Sequence, residues 1–249
     1  VSEPKDGLFV RLYYNPASVC LHNSKWPLAC VQKSKAKLIS FTMAEESKTS
    51  PKVLIVYYSM YKHIEKMAIA VGKGVEAAGG KVTIMRAPET LSEEVLEKMK
   101  APKKNAEHKA ATPQDLADAD AIIFGIPTRF GMAATQMKAL IDHTGGLWMK
   151  GALVGKPASM FVSTATQGGG QETTNLTFVT QLVHHGMIYV PIGYACKKLF
   201  DMSEVHGGSP YGAGCFAGAD GSREPSKLEL EIAEFQGSYV TKVAAKLCK

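Results

Sequence analysis

The run Val53-Leu54-Ile55-Val56-Tyr57-Tyr58-Ser59-Met60-Tyr61-Lys62-His63-Ile64 decides the fold. It opens with an unbroken apolar stretch rich in β-branched and aromatic residues, the composition of a parallel strand covered on both faces. A short polar turn follows. Immediately after it, Ile64, Met67, Ala68, Val71, Val75 and Ala78 recur at three- and four-residue steps, which gathers them on one buried helix face. Gly79-Gly80 then stops the helix, because glycine accepts the left-handed conformation common just past a helix end. Strand, tight turn and helix make the first unit of an α/β sheet.

The same alternation continues towards the C-terminus. Residues 81–85 supply a second strand, and residues 88–119 form a polar surface excursion with two short helices. Ser92 before Glu93-Glu94 caps one, and Thr112-Pro113 caps and opens the other. Ala121-Ile122-Ile123-Phe124-Gly125 is the third strand, with Met137, Leu140 and Ile141 as the buried stripe of its helix. Ala158-Ser159-Met160-Phe161-Val162 is the fourth, followed by a glycine-rich loop and a helix through Leu176, Val179, Leu182 and Val183; residues 187–190 are the fifth. Residues 207–221 are too long and glycine-rich for a plain connector and make a candidate functional loop. Ser226-Lys227-Leu228-Glu229 matches a capping box, and Leu228, Ile232, Phe235, Tyr239, Val243 and Leu247 predict one apolar face on the last helix. Five strands with intervening helices predict a doubly wound parallel sheet, flavodoxin-like or Rossmann-like. Either architecture puts its ligand crevice beyond the carboxyl ends of the strands.

Composition narrows the function classes. Of 249 residues, 45% are hydrophobic and 21% charged, the balance of a folded globular protein. No apolar run approaches the roughly 18 residues that cross a bilayer, so the expectation is a soluble or peripherally associated chain. The five cysteines are scattered, without CxxC or metal-ligand spacing, and read as reduced thiols of a reducing compartment. The net charge is +6, but residues 1–42 hold six Lys and Arg against two acidic side chains and so carry four of those charges. Without a basic stripe interleaved with aromatics, nucleic-acid binding is not expected.

Residues 1–50 show neither helical nor strand period and form a leader, with the folded domain expected over 51–249. The leader has no acidic side chain between Gly7 and Ala44, as in a transit peptide; alternatively it lies upstream of a natural start at Met43, or is an ordered accessory segment. The cytoplasm is the expected compartment, or an organelle if residues 1–42 are a targeting peptide.

Three loops carry candidate chemistry. Ser59, Met60, Tyr61, Lys62 and His63 lead into a helix N-terminus, where free N–H groups and the helix dipole attract anions; a plain strand-to-helix turn needs similar residues. Gly151-Ala152-Leu153-Val154-Gly155-Lys156-Pro157 imitates a phosphate-binding P-loop but is one residue short, lacks the hydroxyl residue and precedes a strand. Gly125-Ile126-Pro127-Thr128-Arg129-Phe130-Gly131 lets backbone approach a ligand, Phe130 can flank a planar ring and Arg129 can serve a carbonyl-rich edge. The bland reading is a turn with Phe130 in the core and Arg129 in solvent. Ser163-Thr164-Ala165-Thr166-Gln167-Gly168-Gly169-Gly170 offers hydroxyls and amides, or a flexible turn.

Tyr58-Ser59-Met60-Tyr61, Pro127-Thr128-Arg129-Phe130-Gly131, Gly145-Gly146-Leu147-Trp148, His184-His185-Gly186-Met187 and Pro210-Tyr211-Gly212, in that order, resemble the WrbA-type NAD(P)H:quinone oxidoreductases. The resemblance spans residues 52–249. It implies a flavodoxin-like five-stranded sheet of order 2-1-3-4-5, non-covalent FMN, NADH or NADPH as electron donor, quinone as substrate in a two-electron ping-pong cycle, and a homotetramer or homodimer. It further implies that Ser59, Met60, Tyr61, Lys62, His63 and Ile64 hold the FMN phosphate, and that Pro127, Thr128, Arg129, Phe130 and Gly131 border the flavin ring. Ser163, Thr164, Ala165, Thr166, Gln167 and Gly168 would contact the ring or ribityl chain, and His185 would approach from the loop before the fifth strand, with His184 a surface residue. Tyr61 would lie near the nicotinamide and Trp148 would wall the quinone pocket. Two departures stand out. Lys62 occupies a usual glycine position, so it adopts an unusual conformation, turns outward, or adds a cationic contact to the phosphate; Gln167 is an insertion, with Ala165 where glycine is usual. A one-electron flavodoxin-type carrier and a flavin-regulated binding or scaffold protein are the competing function classes.

Overall fold

A computed structural model describes residues 50–248. The expected leader over 1–50 therefore lies, except for Ser50, outside the described residues. Strand β1 (Lys52–Tyr57), helix α1 (His63–Ala77) and strand β2 (Lys81–Arg86) form the first unit, and the excursion carries α2 (Glu93–Lys98) and α3 (Pro113–Asp118). Next come β3 (Ala121–Arg129), β4 (Met132–Ala133), α4 (Thr135–Asp142), α5 (Gly145–Met149), β5 (Pro157–Thr164) and α6 (Gln171–His184). The chain ends through β6 (Ile188–Tyr189), two 3₁₀ turns, β7 (Gly214–Phe216) and α7 (Lys227–Leu247).

The parallel path β2-β1-β3-β5-β6 is the expected order of five strands. Two short strands add to it: β4 pairs antiparallel with β3, and β7 pairs parallel with β5. The fifth strand is shorter than residues 187–190. Only Ile188 and Tyr189 pair, against Pro157 and Ala158, and β7 takes over the same edge further along at Val162, Ser163 and Thr164. The fifth position of the sheet is thus split, with residues 190–213 looping out between its two pieces. Glycines make the rejoining close: a Cβ on Gly212 would collide with the Met160 carbonyl oxygen.

Both faces of the sheet are buried, as a parallel sheet requires. Leu54, Val56, Ile122, Phe124, Ile126 and Met160 face one apolar cluster with Met137, Phe178 and Leu182; Val53, Ile55, Tyr57, Ile123 and Phe161 face the other with Ile64, Val71 and Ile232. The predicted caps form: the Ser92 hydroxyl accepts from Val95 N, and Thr112 with Asp115 and Ser226 with Glu229 make full capping boxes. The Lys156 ammonium of the P-loop look-alike donates to the carbonyls of Ala117 and Ala119, so its work is to close the end of α3.

The last helix differs from its predicted face. α7 buries Glu229, Ile232, Ala233, Gln236, Gly237, Val240, Thr241 and Ala244, while Phe235 and Tyr239 stack on each other half-exposed and Leu247 is exposed. Small residues win because α7 lies across α1, and there Gly237 and Gly74 bring the two backbones together. Gln236 replaces apolar contact with hydrogen bonds, accepting from Ala213 N at 2.8 Å and donating to Ser159 Oγ and Met160 O at 2.7 Å. Buried polar groups persist in a core when so satisfied.

Candidate functional site

Strands β1, β3 and β5 are neighbours, so the turns at their carboxyl ends emerge side by side. The register sets Pro127 of β3 directly beside Ser163 of β5, and Tyr58 N donates to Gly125 O at 3.1 Å. All three sequence-predicted loops therefore converge on one edge of the sheet. Gly125 permits this convergence, because a Cβ there would fall 2.5 Å from Phe161 Cζ.

In the first loop Lys62 is left-handed, with φ 70° and ψ −3°, and stands as the N-cap of α1 without a side-chain cap hydrogen bond. The unusual conformation allowed for by sequence is the one adopted, at a cost of about 1–2 kcal/mol for a residue with a Cβ. With no side chain capping them, the first N–H groups of α1 are left for an anion. Ser59 is half-buried beside them, while His63 and Ile64 are buried and anchor the turn. Beneath the turn, Tyr57 Oη meets His108 Nδ1 at 2.8 Å and Glu65 Oε2 at 3.3 Å. Burial, reinforced by Glu65, keeps the Tyr57 phenol protonated well above its ordinary range.

The second loop is a hairpin tip. Thr128 pairs with Ala133 and Arg129 with Met132, leaving Phe130 and Gly131 as the turn, both at positive φ (54° and 78°), as hairpin turns of type I′ require. Phe130 is not packed in the core; its ring is fully exposed. Arg129 is exposed and its Nη1 donates to Thr128 O at 2.8 Å. Thr128 Oγ1 accepts from Gly131 N at 3.2 Å and hydrogen-bonds Thr174 Oγ1 at 2.8 Å, which ties the tip to α6.

In the third loop Ser163 and Thr164 belong to β5 and are buried, whereas Ala165, Thr166, Gln167 and Gly168 are exposed. Thr164 Oγ1 donates to Thr166 O at 2.8 Å and accepts from Gln171 Nε2 at 3.3 Å. The loop is folded back on itself, with Gly169 N donating to Thr166 O at 3.0 Å.

Two expected members of the site lie elsewhere. Trp148 is on α5 and His185 caps the C-terminus of α6, next to the amino end of β5: Gly155 N donates to Gly186 O at 2.8 Å, and Ile188 N to Lys156 O at 2.9 Å. From there to the third loop is the length of β5, eight residues, or roughly 23 Å at the usual rise per residue. Within one chain, His185 and Trp148 therefore cannot reach a ligand held by Ser59, Thr128 and Ser163. They sit in one hydrogen-bonded corner between α5 and the end of α6 instead. Trp148 Nε1 donates to His184 O at 3.0 Å, and His185 Nε2 meets Thr144 Oγ1 at 2.8 Å. The Thr144 hydroxyl spends its hydrogen on Ile141 O at 2.5 Å, so Nε2 of His185 is the donor and Nδ1 the acceptor. Nδ1 is buried without a partner among the described residues. Burial, then the neighbouring His184, hold the His185 imidazole neutral by pushing its pKa down.

The polar excursion does more than cover surface. Together with the first loop it borders a cavity of about 400 Å³ lined by Ser59, Met60, Glu89, Leu96, Ala101 and Lys104 among others, and Tyr61 Oη ties the two segments by donating to Met99 O at 3.2 Å. Glu89 organises this wall. It accepts from Tyr58 Oη at 3.2 Å, Gln136 Nε2 at 2.9 Å, Thr90 N at 2.9 Å and Leu91 N at 3.1 Å, and pairs with Lys104 at 2.8 Å. Burial alone would raise its pKa, but Lys104, Gln136 and the two amides more than offset that and bring it from 4.5 to about 2. No spacing in the sequence marks Glu89, since its partners come from four separate segments.

A depressed carboxylate pKa stabilises the fold above the unfolded-state value, and the contribution is lost as pH falls through the folded-state value. For Glu89 that window runs from pH 4.5 down to about 2, and the contribution is about 2–3 kcal/mol. Glu89→Gln should therefore unfold at lower urea than the parent at neutral pH, with the difference shrinking steadily below pH 4.5. A gap between the two proteins that stays constant down to pH 2.5 would contradict this.

Among the described residues no helix is long and apolar enough to cross a membrane. The family model described as NADPH-dependent FMN reductase matches residues 51–199. The chain is 58% identical over 198 residues to the quinone-oxidoreductase QR2 of Triphysaria versicolor, covering 79% of this chain and 96% of that protein. It is 52% identical over 210 residues to the probable NAD(P)H dehydrogenase (quinone) FQR1-like 2 of Arabidopsis thaliana, covering 84% and 77%. Among solved structures, the WrbA-like flavodoxin of Agrobacterium tumefaciens aligns with a TM-score of 0.56 at 26% identity, over 79% of this chain and 99% of the other. With more than half of the chain matched by the family model and a curated relative aligned over nearly its whole length, this chain belongs to the NADPH-dependent FMN reductase family, in its WrbA-type quinone oxidoreductase branch.

Proposed function

We propose that the protein is an FMN-dependent NAD(P)H:quinone oxidoreductase that reduces quinones to hydroquinones by electron pairs in a ping-pong cycle. The observation that carries the reading is the convergence of three donor-rich loops on one sheet edge, with an uncapped helix N-terminus among them. That edge suits a phosphorylated planar ligand. Ser59, Met60, Tyr61, Lys62, His63 and Ile64 hold the phosphate by main-chain amides and the Ser59 hydroxyl. Pro127, Thr128, Arg129, Phe130 and Gly131 border the ring; Ser163, Thr164, Ala165, Thr166, Gln167 and Gly168 line its other side. Tyr61, pinned to Met99, borders the nicotinamide position. FMN supplies the two-electron chemistry when bound, and the chain orients it, excludes water and selects what stacks on it.

Trp148 and His185 take part from a second copy of the chain. Both ends present the apolar surface such a contact needs: Phe130 and Met132 are exposed at the hairpin tip, and Trp148, Met149, Val154 and Val183 at the opposite end of the sheet. Packing one chain's α5 end over another's hairpin brings the neutral His185 and the flat indole to the ring. A homotetramer or homodimer follows, with the cytoplasm as its setting. Stopped-flow mixing of the flavin-loaded protein with NADH and with NADPH, then with benzoquinone, tests the reading. Bleaching of the flavin by at least one nucleotide, and its full recovery on one equivalent of quinone, is the expected result. Flavin that stays oxidised under both nucleotides would end it.

A further inference from the structure

We infer that Arg223 and Glu229 are positioning residues for the phosphate-binding turn, acting through the ring of His63. The inference rests on the reading that this turn holds the FMN phosphate, and it gives the glycine-rich stretch after β6 a role. Glu229 is the third residue of α7 and its side chain has no exposure. Sequence assigns it only a capping-box partner for Ser226. Its carboxylate in fact accepts from four sources: Ser226 N at 2.7 Å, Gly207 N at 2.8 Å, Phe216 N at 3.1 Å and Arg223 Nη1 at 2.9 Å. A carboxylate so deeply buried persists only when paired and hydrogen-bonded throughout.

Arg223 is locked by the same pair. Its Nη1 also reaches Phe216 O at 2.8 Å, its Nη2 reaches Val205 O at 3.1 Å, and the guanidinium lies 5.8 Å over the Phe216 ring. A capping box needs none of these contacts. Their effect is to fix the backbone at Arg223, whose carbonyl oxygen meets His63 Nε2 at 3.0 Å. A carbonyl only accepts, so Nε2 carries the hydrogen. His63 is the first residue of α1, so holding its ring holds the first helical turn and the free amides it presents. The same segment grips the third loop, with Ala217 N donating to Thr164 O at 2.8 Å and Gly218 N to Ala165 O at 3.0 Å. One ion pair with a fully buried carboxylate thus sets the separation between the phosphate turn and the loop facing it.

Flavin-fluorescence titration of the apoprotein with FMN and with riboflavin tests the role, because the two ligands share the ring and differ in the phosphate. His63→Phe keeps ring volume, removes the hydrogen bond to Arg223 and leaves the Arg223–Glu229 pair intact. Arg223→Met removes the lock itself. Both should lose about tenfold in FMN affinity, one hydrogen bond's worth, with riboflavin affinity unchanged within about twofold; Arg223→Lys, which keeps charge without the fork, should fall between. Equal losses for FMN and riboflavin in His63→Phe, or no loss of either, would overturn the positioning role even if Arg223→Met failed to fold. A parent protein that binds FMN no better than riboflavin would overturn the phosphate assignment as well, whereas a parent preference for FMN that survives both substitutions sinks only this inference.

Discussion

Gly237→Ala is expected to lower the urea midpoint sharply, although alanine is the better helix former by about 1 kcal/mol. Two effects of opposite sign meet at this position. Propensity favours the methyl group; geometry forbids it, since a Cβ on Gly237 would collide with the Val71 carbonyl oxygen, and one on Gly74 with that of Glu234. The obstacle is helix backbone and has no rotamer by which to move aside. To admit the methyl, α7 must lift off α1, and Ile232, Ala233, Val240 and Ala244 lose their seat together. Overpacking of this kind costs about 3 kcal/mol or more, a large part of the 5–15 kcal/mol that typically holds a domain together. Gly145→Ala, where the new Cβ has nothing within 4 Å, serves as the control and should scarcely shift the urea midpoint. A Gly237→Ala protein with the parent's midpoint would show that the helices do not cross at this glycine.

Trp148→Ala should lower kcat/KM for quinone by about 100-fold, the scale on which loss of substrate positioning acts, while FMN affinity changes by less than about twofold. The separation follows from the map of the chain: Trp148 is on α5 and bonds His184 O beside the amino end of β5, the length of that strand away from the cradle loops. Its indole is more than half exposed, so truncation should leave the fold standing. If the site joins two copies, co-expressing Trp148→Ala with Ser59→Asp, whose carboxylate repels the flavin phosphate, should regain quinone turnover that neither variant shows alone. Hybrid assemblies then contain an intact cradle from one chain and an intact tryptophan from the other. Turnover of the mixture equal to the sum of the separate variants would refute a shared site, and parallel loss of flavin from Trp148→Ala would show that the tryptophan supports the cradle itself.

Whatever depends on neighbours along the chain is legible in the order of amino acids alone. The strand at Val53 to Tyr58, the helix stripe from Ile64 onward, the capping boxes at Thr112 and Ser226, and the three loops that gather on the sheet edge are local patterns, because a βα turn keeps strand end, anion-seeking amides and helix start within a few residues. The winding order followed once those units were placed. What tertiary structure alone decided involves partners far apart in sequence. Periodicity predicts Phe235 and Tyr239 beside Ile232 on the inner face of α7, yet the close crossing at Gly74 and Gly237 turns the small-residue stripe inward, since backbone approach outweighs side-chain hydrophobicity where two helices touch. Residues 187–190 predict one continuous fifth strand, but hydrogen-bonding capacity left on the β5 edge is filled by a segment 25 residues downstream of Tyr189, at Gly214. Trp148 and His185 have motif positions identical in kind to those of Ser59 and Thr128, but only the length of β5 between them shows that one chain cannot bring all four to a single ligand. Glu89, Arg223 and Glu229 gather donors from segments that adjoin only in the folded state, and a carboxylate in isolation carries no sign of what will surround it.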